Sequence, residues 1–187
     1  MTKSAIVFTQ QNEGSAAGKE LGEKIIEKLI DKTPNVVIVF ASSVYDYTAL
    51  LHSIKETCTP GILVGSSSAG EFTSDDFGTD SACAIALYST ELQFRAGIGE
   101  TITTSRDKVA NELLNVLSPV QEYQYQYYSA MLFADALSGF TDELIELLTE
   151  KTMGKYQFLV AARATTQIFR RPMFFMTRLP TPMLQLY

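Results

Sequence analysis

The stretch Gly65, Ser66, Ser67, Ser68, Ala69, Gly70, Glu71 and Phe72 gathers three hydroxyls, a carboxylate and two glycines into eight positions. Hydroxyls and a carboxylate beside permissive backbone can recognise a small polar ligand, or pair a serine nucleophile with an acid. The same residues can also close a turn, with each Ser bonding its own backbone. Ser42 and Ser43 follow one apolar run, and Asp135 and Ser138 follow another. Local turn bonding competes with ligand contact for the second pair. A catalytic serine needs a positioned base, and His52 is the sole histidine. It shares a helical face with Thr48 and Glu56, away from the apolar stripe, so it is predicted to face water. No catalytic residue is assigned for that reason, and recognition is the expected chemistry. One histidine cannot build a multi-histidine metal centre. Cys58 and Cys83 sit among apolar neighbours and are predicted to be buried thiols. Asp75, Asp76 and Asp80 lack calcium-loop spacing, and the chain has neither a Walker loop nor a G-x-G-x-x-G turn.

The elements that must position these residues are legible from periodicity. Residues 4–9 and 36–40 read as buried strands. Between them Ala17, Leu21, Ile25 and Leu29 recur every four residues, with Ile26 and Ile30 widening the stripe, which predicts an amphipathic helix. A second helix is predicted from about Asp46 to just before Pro60, followed by a short strand at 62–64. Strand, helix, strand, helix, strand is the pattern of a parallel layer. Residues 82–88 and 92–98 then predict a hairpin about Ser89-Thr90-Glu91, because Leu92, Phe94, Ala96 and Ile98 alternate with polar residues. A helix is predicted from near Thr104 to Pro119. A Tyr-rich connector at 121–129 and a strand at 130–134 come next. The helix at 142–153 carries the clearest signals. Thr141 is its predicted cap, Phe140 a staple onto Ile145, and Gly154 its stop. The expected fold is therefore α/β: a layered mixed sheet with a parallel βαβαβ portion, an antiparallel hairpin and covering helices. If the strands before Ser42, Gly65 and Asp135 lie side by side, their ends form one polar pocket.

Composition bounds the partners. A formal net charge of -6 and a pI near 4.8 disfavour nucleic acid and anionic membrane surfaces. No apolar run reaches the roughly 20 residues of a membrane span, and the N-terminus lacks the apolar core of a signal peptide, so a cytoplasmic location is expected. From Phe158 the composition breaks. The remaining residues hold four of the six Arg, three of the six Pro and three of the six Met, with no Lys, Asp, Glu or Gly. No strand or helix period runs through them. With suitable codons, reading Val160 to Thr166 one base earlier returns the string GGGAGDD, a Gly-rich turn. The domain is accordingly assigned to residues 1–157, incomplete, and 158–187 to an aberrant tail, frameshifted or disordered. An intact frame across codons 155–165 in relatives that share the tail excludes a shift.

In order, VVIVFASSVYDYTALL, ILVGSSSAGEF, a segment ending RAGIG, and LFADALSGFTDELIELL resemble the N-terminal part of a FIST domain over about residues 5–157. The resemblance implies an intracellular sensory domain of a signal-transduction protein that binds amino acids or related metabolites. The candidate ligand contacts are Ser42, Ser43, Gly65, Ser66, Ser67, Ser68, Gly70, Glu71, Asp135 and Ser138. It implies output partners such as a histidine kinase, a chemotaxis receptor or a cyclic-dinucleotide enzyme. Some FIST proteins resemble haem-binding nitric oxide sensors with a histidine ligand; His52 is not in that position, and no cofactor is expected. A Gly-Gly-x-Ala-Gly-Asp segment typically follows in the family, which is what the shifted frame returns. Two alternatives from other classes are a serine-dependent hydrolase using Ser67 or Ser68 with Glu71 or Asp135, and a non-catalytic interaction fragment.

Overall fold

A computed structural model describes residues 1–99, 103–117, 125–135, 139–163 and 173–180. The chain divides into two compact units, the first built on Met1–Ser89 and the second on the elements that follow.

In the first unit β1 (Thr2–Thr9), α1 (Gly14–Leu29), β2 (Val36–Ser42), α2 (Tyr47–Cys58) and β3 (Ile62–Ser68) succeed one another as the periodicity requires. Two short strands, β4 (Glu71–Phe72) and β5 (Phe77–Gly78), form a separate antiparallel ribbon before β6 (Ala82–Ser89). The sheet order is β1-β6-β2-β3. Strands β2 and β3 are parallel neighbours, but β6 runs antiparallel between β1 and β2 and separates them. One row across the sheet reads Val7, Ala84, Val39, Gly65, and the next reads Thr9, Ala82, Ala41, Ser67. Both helices cover this face. The alanines of β6 leave room for them, and Ala5, Val7, Val37, Val39, Leu21, Ile25, Leu50 and Ile54 form the core beneath.

Each helix begins at a side-chain cap. Glu13 accepts from the backbone of Ser15 and Ala16, and Asp46 accepts from Thr48 at 2.9 Å and Ala49 at 3.2 Å. The stripe Ala17, Leu21, Ile25, Leu29 is buried as expected, whereas Ile30 is the exposed, left-handed C-cap. Gly14, Gly18 and Gly22 lie on the buried face of α1, where α2 crosses it. A Cβ at Gly18 would stand 2.3 Å from the Leu50 carbonyl oxygen, so only glycine permits this approach.

The second unit holds β7 (Gln93–Ile98), α3 (Arg106–Leu117), β8 (Tyr125–Asp135), α4 (Thr141–Lys151), β9 (Tyr156–Arg163) and β10 (Met173–Pro180), with sheet order β7-β10-β8-β9. Its core joins Val109, Ala110 and Leu113 to Ala130, Leu132, Leu144 and Leu148. The hairpin expected from residues 82–98 does not form: β6 pairs with β1 and β2, and β7 pairs with β10. Burial alternates along most of β6 but not along β7, where Gly97 is buried and Ile98 exposed, and alternation in any case names a strand's faces, not its partner. Within the segment of altered composition, residues 173–180 form β10, which pairs on both sides, with β7 and β8. A strand with two neighbours can be apolar at successive positions, which conceals it from a period-2 reading. Thr141 is the first residue of α4 rather than its cap, and its hydroxyl has no hydrogen-bond partner among the described residues. Gly154, at φ +69°, closes that helix by donating to the Thr149 carbonyl. The predicted stop of α3 at Pro119 and residues 121–124 of the expected connector lie outside the described residues, whereas 125–129, also read as connector, are the first residues of β8.

Candidate functional site

β3 extends to Ser68, four residues beyond the expected ILV strand, so Gly65, Ser66, Ser67 and Ser68 are strand residues and the turn is confined to Ala69 and Gly70. Gly65 is required by strand proximity: a Cβ there would lie 2.2 Å from the Val39 carbonyl oxygen. Ser66 is buried and donates to the Ser67 carbonyl, while Ser67, also buried, points to the helix-covered face. Ser68 is half-buried and turned toward Glu71. At the same end of the sheet, Ser42 closes β2 with its N–H on the Ser81 carbonyl at 3.0 Å, and Ser43 is exposed in the turn that follows.

Glu71 organises this edge. It is 3% exposed, and its two carboxylate oxygens are held separately, Oε1 by the Ser68 hydroxyl and Oε2 by the Ser81 hydroxyl at 2.6 Å. Each oxygen keeps accepting capacity beyond these bonds. Among the described residues no Lys or Arg pairs with it. Tyr45, buried below the turn, donates from its hydroxyl to the Gln11 carbonyl at 2.7 Å. Burial raises the Tyr45 pKa, and the negative charges of Glu71, Asp80 and Glu20 add to the rise. Burial likewise pushes the Cys83 thiol up to about 11, with Glu71 contributing. Burial alone pushes Cys58 up to about 11. Both thiols are therefore protonated and unreactive near neutral pH.

A cavity of about 720 Å³ opens beside this cluster, between the end of β1 and the β4–β5 ribbon. Gln10, Asn12, Glu71 and Asp80 stand in its wall with Phe72 and Phe77, and Gly70 is part of the turn that borders it. The volume suits a small molecule. The carboxyl ends of β1, β2 and β3 share this edge of the sheet, where open α/β sheets commonly place ligands. Of the predicted contacts, however, only Gly70 and Glu71 line the cavity, and Ser42, Ser43 and Gly65 to Ser68 do not. Asp75 and Asp76 lie in the ribbon's turn, where the Thr73 hydroxyl accepts from both backbone N–H groups. His52 is exposed on α2. Among the described residues no group of three or more His, Cys, Asp or Glu could hold a metal ion.

Asp135 ends β8 of the second unit, whose sheet neighbours are β10 and β9, so the expected adjacency of that strand to β3 does not occur. Ser138 lies outside the described residues. Sequence reasoning missed Ser81, which bonds Glu71 ten residues away, Tyr45, which bonds Gln11 34 residues away, and Gln10, which lines the cavity from beyond the end of β1. The one available signal for Ser81 is a lone hydroxyl at the mouth of an otherwise apolar strand.

The family described as FIST N domain matches residues 35–160. The chain belongs to the FIST family. FIST domains are in general sensory domains of signal-transduction proteins. The match spans Ser42 through Glu71 and reaches Asp135, while Gln10 and Asn12 of the cavity precede it. No curated protein matches the sequence. Solved structures that resemble the fold include an empty FtsZ dimer from M. jannaschii, with 12% identity and a TM-score of 0.32. That match covers 46% of this chain and 26% of the other, so the chain spans about a quarter of that relative's length. Two cyanuric acid hydrolases also resemble it. One, described as an innovation by structural concatenation, has 11% identity, a TM-score of 0.41 and coverage of 96% and 68%. The other, from A. caulinodans, has 5% identity, a TM-score of 0.40 and coverage of 97% and 68%. None of these likenesses bears on function. Among the described residues no helix is long and apolar enough to cross a membrane.

Proposed function

We propose that this FIST chain is the small-ligand-sensing domain of an intracellular signal-transduction protein, binding an amino acid or related metabolite without transforming it. The observation that carries the reading is Glu71: a buried carboxylate, fixed by Ser68 and Ser81, in a cavity wall and unpaired with any described cation. An ammonium group is its natural complement, since a charge-assisted bond gains most where water is excluded. Gln10, Asn12 and the turn at Gly70 supply neutral donors for the rest of such a molecule. Occupancy would reach an output module, such as a histidine kinase, a chemotaxis receptor or a cyclic-dinucleotide enzyme.

One contact favours a second reading. Ser68 donates directly to Glu71, the geometry of a serine and a carboxylate base, and this supports a serine-dependent hydrolase. Against it, no imidazole stands beside the serine, because His52 projects into solvent from α2. Labelling of Ser68 by a fluorophosphonate would favour the hydrolase over the sensor.

A thermal-shift screen of the amino acids tests the sensor. Saturation at a hundred times Kd adds about 2.7 kcal/mol of stability. We expect at least one amino acid to raise the melting temperature and Glu71→Gln to abolish the rise. The substitution preserves shape, and either serine hydroxyl can rotate to accept from the new amide. No shift with any amino acid, or an undiminished shift in the variant, would overturn the assignment.

A further inference from the structure

The cavity beside Glu71 is one-signed. Its described wall carries two carboxylates, Glu71 and Asp80, and two side-chain amides, Gln10 and Asn12, but no lysine or arginine. Lys24 is taken up elsewhere, by Glu20 at 2.6 Å and the Phe8 carbonyl at 2.7 Å. The negative potential reaches beyond the cavity, since Tyr45 and Cys83 both feel Glu71 in addition to their burial.

The second observation is aromatic. Phe72 and Phe77 face each other across the β4–β5 ribbon and border the same cavity, yet they are 80% and 84% exposed. Single apolar residues in water are ordinary, but two phenyl rings opposed on a ribbon of two residue pairs belong to no core. A ring face attracts a cation through its quadrupole, most strongly where water is displaced. Rings and acids around one cavity are the complement of a desolvated ammonium group. The rings and acids offer nothing to a ligand carboxylate, which is left to the neutral donors of Gln10 and Asn12.

Resting on the sensory reading above, we propose that the ligand is a net cation, a basic amino acid or small primary amine, held between the Phe72–Phe77 pair and the carboxylates of Glu71 and Asp80. A neutral zwitterion brings a carboxylate into the same negative field and loses there what its ammonium gains. The site therefore selects by net charge.

Calorimetric titration of the full chain with L-lysine, L-arginine, putrescine, L-leucine and L-glutamate reads the selection directly. The three cations should bind at least ~10-fold more tightly than leucine, glutamate should be weakest, and affinity for the cations should fall as salt rises. Asp80→Asn and Phe77→Ala should each weaken lysine by ~10-fold. Both side chains are exposed, so the free protein's melting temperature should hold and a folding defect is distinguishable. Leucine or glutamate binding as tightly as lysine, with affinity lost in Glu71→Gln, overturns the charge selection and leaves the sensory cavity standing. Silence from all five overturns the charge selection too, and the wider amino-acid screen then decides the cavity itself.

Discussion

The two units answer the same problem, two helices covering one sheet, with different residues. In the first, α1 meets α2 through Gly14, Gly18 and Gly22, and the Leu50 carbonyl occupies the space a side chain would take at Gly18. In the second, α3 and α4 meet through full-sized side chains, Val109, Leu113, Leu144 and Leu148, with charge pairs at the surface. There Arg106 reaches Glu143 and stacks 4.4 Å over the Phe140 ring, and Lys151 reaches Asp107 at 2.9 Å. Backbone-to-backbone packing cannot give by a rotamer change, whereas long side chains can. The rigid arrangement shares its core with Tyr45, whose hydroxyl holds the Gln11 carbonyl, while Ser68 and Ser81 hold Glu71.

The sharpest way to break the comparison acts on β10. This strand pairs with β7 on one side and β8 on the other, so its amides serve two ladders. Phe175→Pro removes a ladder donor and leaves its acceptor unpaired, at a cost of about 3 kcal/mol. Hydrogen exchange should show lost protection in β7 and β8 and retained protection in β2 and β6. Retained protection in β7 and β8 would mean that residues 173–180 are dispensable to the sheet, the outcome expected of an aberrant tail.

Next in size is the glycine contact. In an exposed helix interior Gly→Ala gains up to about 1 kcal/mol. At Gly18 the sign should reverse, with a loss of about 2 kcal/mol, because the new methyl meets the Leu50 backbone. Gly22→Ala should be milder, since its Cβ meets the Thr57 side chain, which can move. Urea denaturation midpoints order the pair. Equal effects at the two positions would remove the distinction between rigid and adjustable packing.

This contrast also explains how much was legible beforehand. The strands at 36–40 and 130–134, the Ala17, Leu21, Ile25, Leu29 stripe of α1 and the start of α2 near Asp46 are local patterns, and each stands where its spacing put it. The Ser68 and Glu71 part of the site was legible too, because three residues separate them. What did not read is non-local. The insertion of β6 between β1 and β2 depends on which edges are free. Ser81 acquires its meaning only when β6 brings it to Glu71, ten residues away along a chain that first forms the β4–β5 ribbon. Asp135 follows an apolar strand as Ser42 does, yet its strand belongs to another sheet, and no pattern within either segment encodes that.

The smallest expected effect separates two acids that titrate in the same direction for different reasons. Glu20, on α1, is held below the ordinary glutamate value of 4.5: burial alone pushes it up, but bonds from Lys24 and the Thr9 hydroxyl outweigh that. Asp107, on α3, is held below 3.8 by Lys151, assisted by Asn111. A depressed carboxylate pKa means that the unfolded chain binds the proton more readily. Each contribution is thus present above the ordinary value and lost as pH falls through the folded one. Asp107 is open to solvent, so salt should erase its share. Glu20 keeps a neutral hydroxyl donor that salt does not screen. Denaturation midpoints measured between pH 3 and 6 should therefore flatten in Glu20→Gln at both low and high salt, and in Asp107→Asn at low salt only. Equal salt sensitivity in the two variants would show that the Thr9 hydroxyl contributes nothing to the difference between the units.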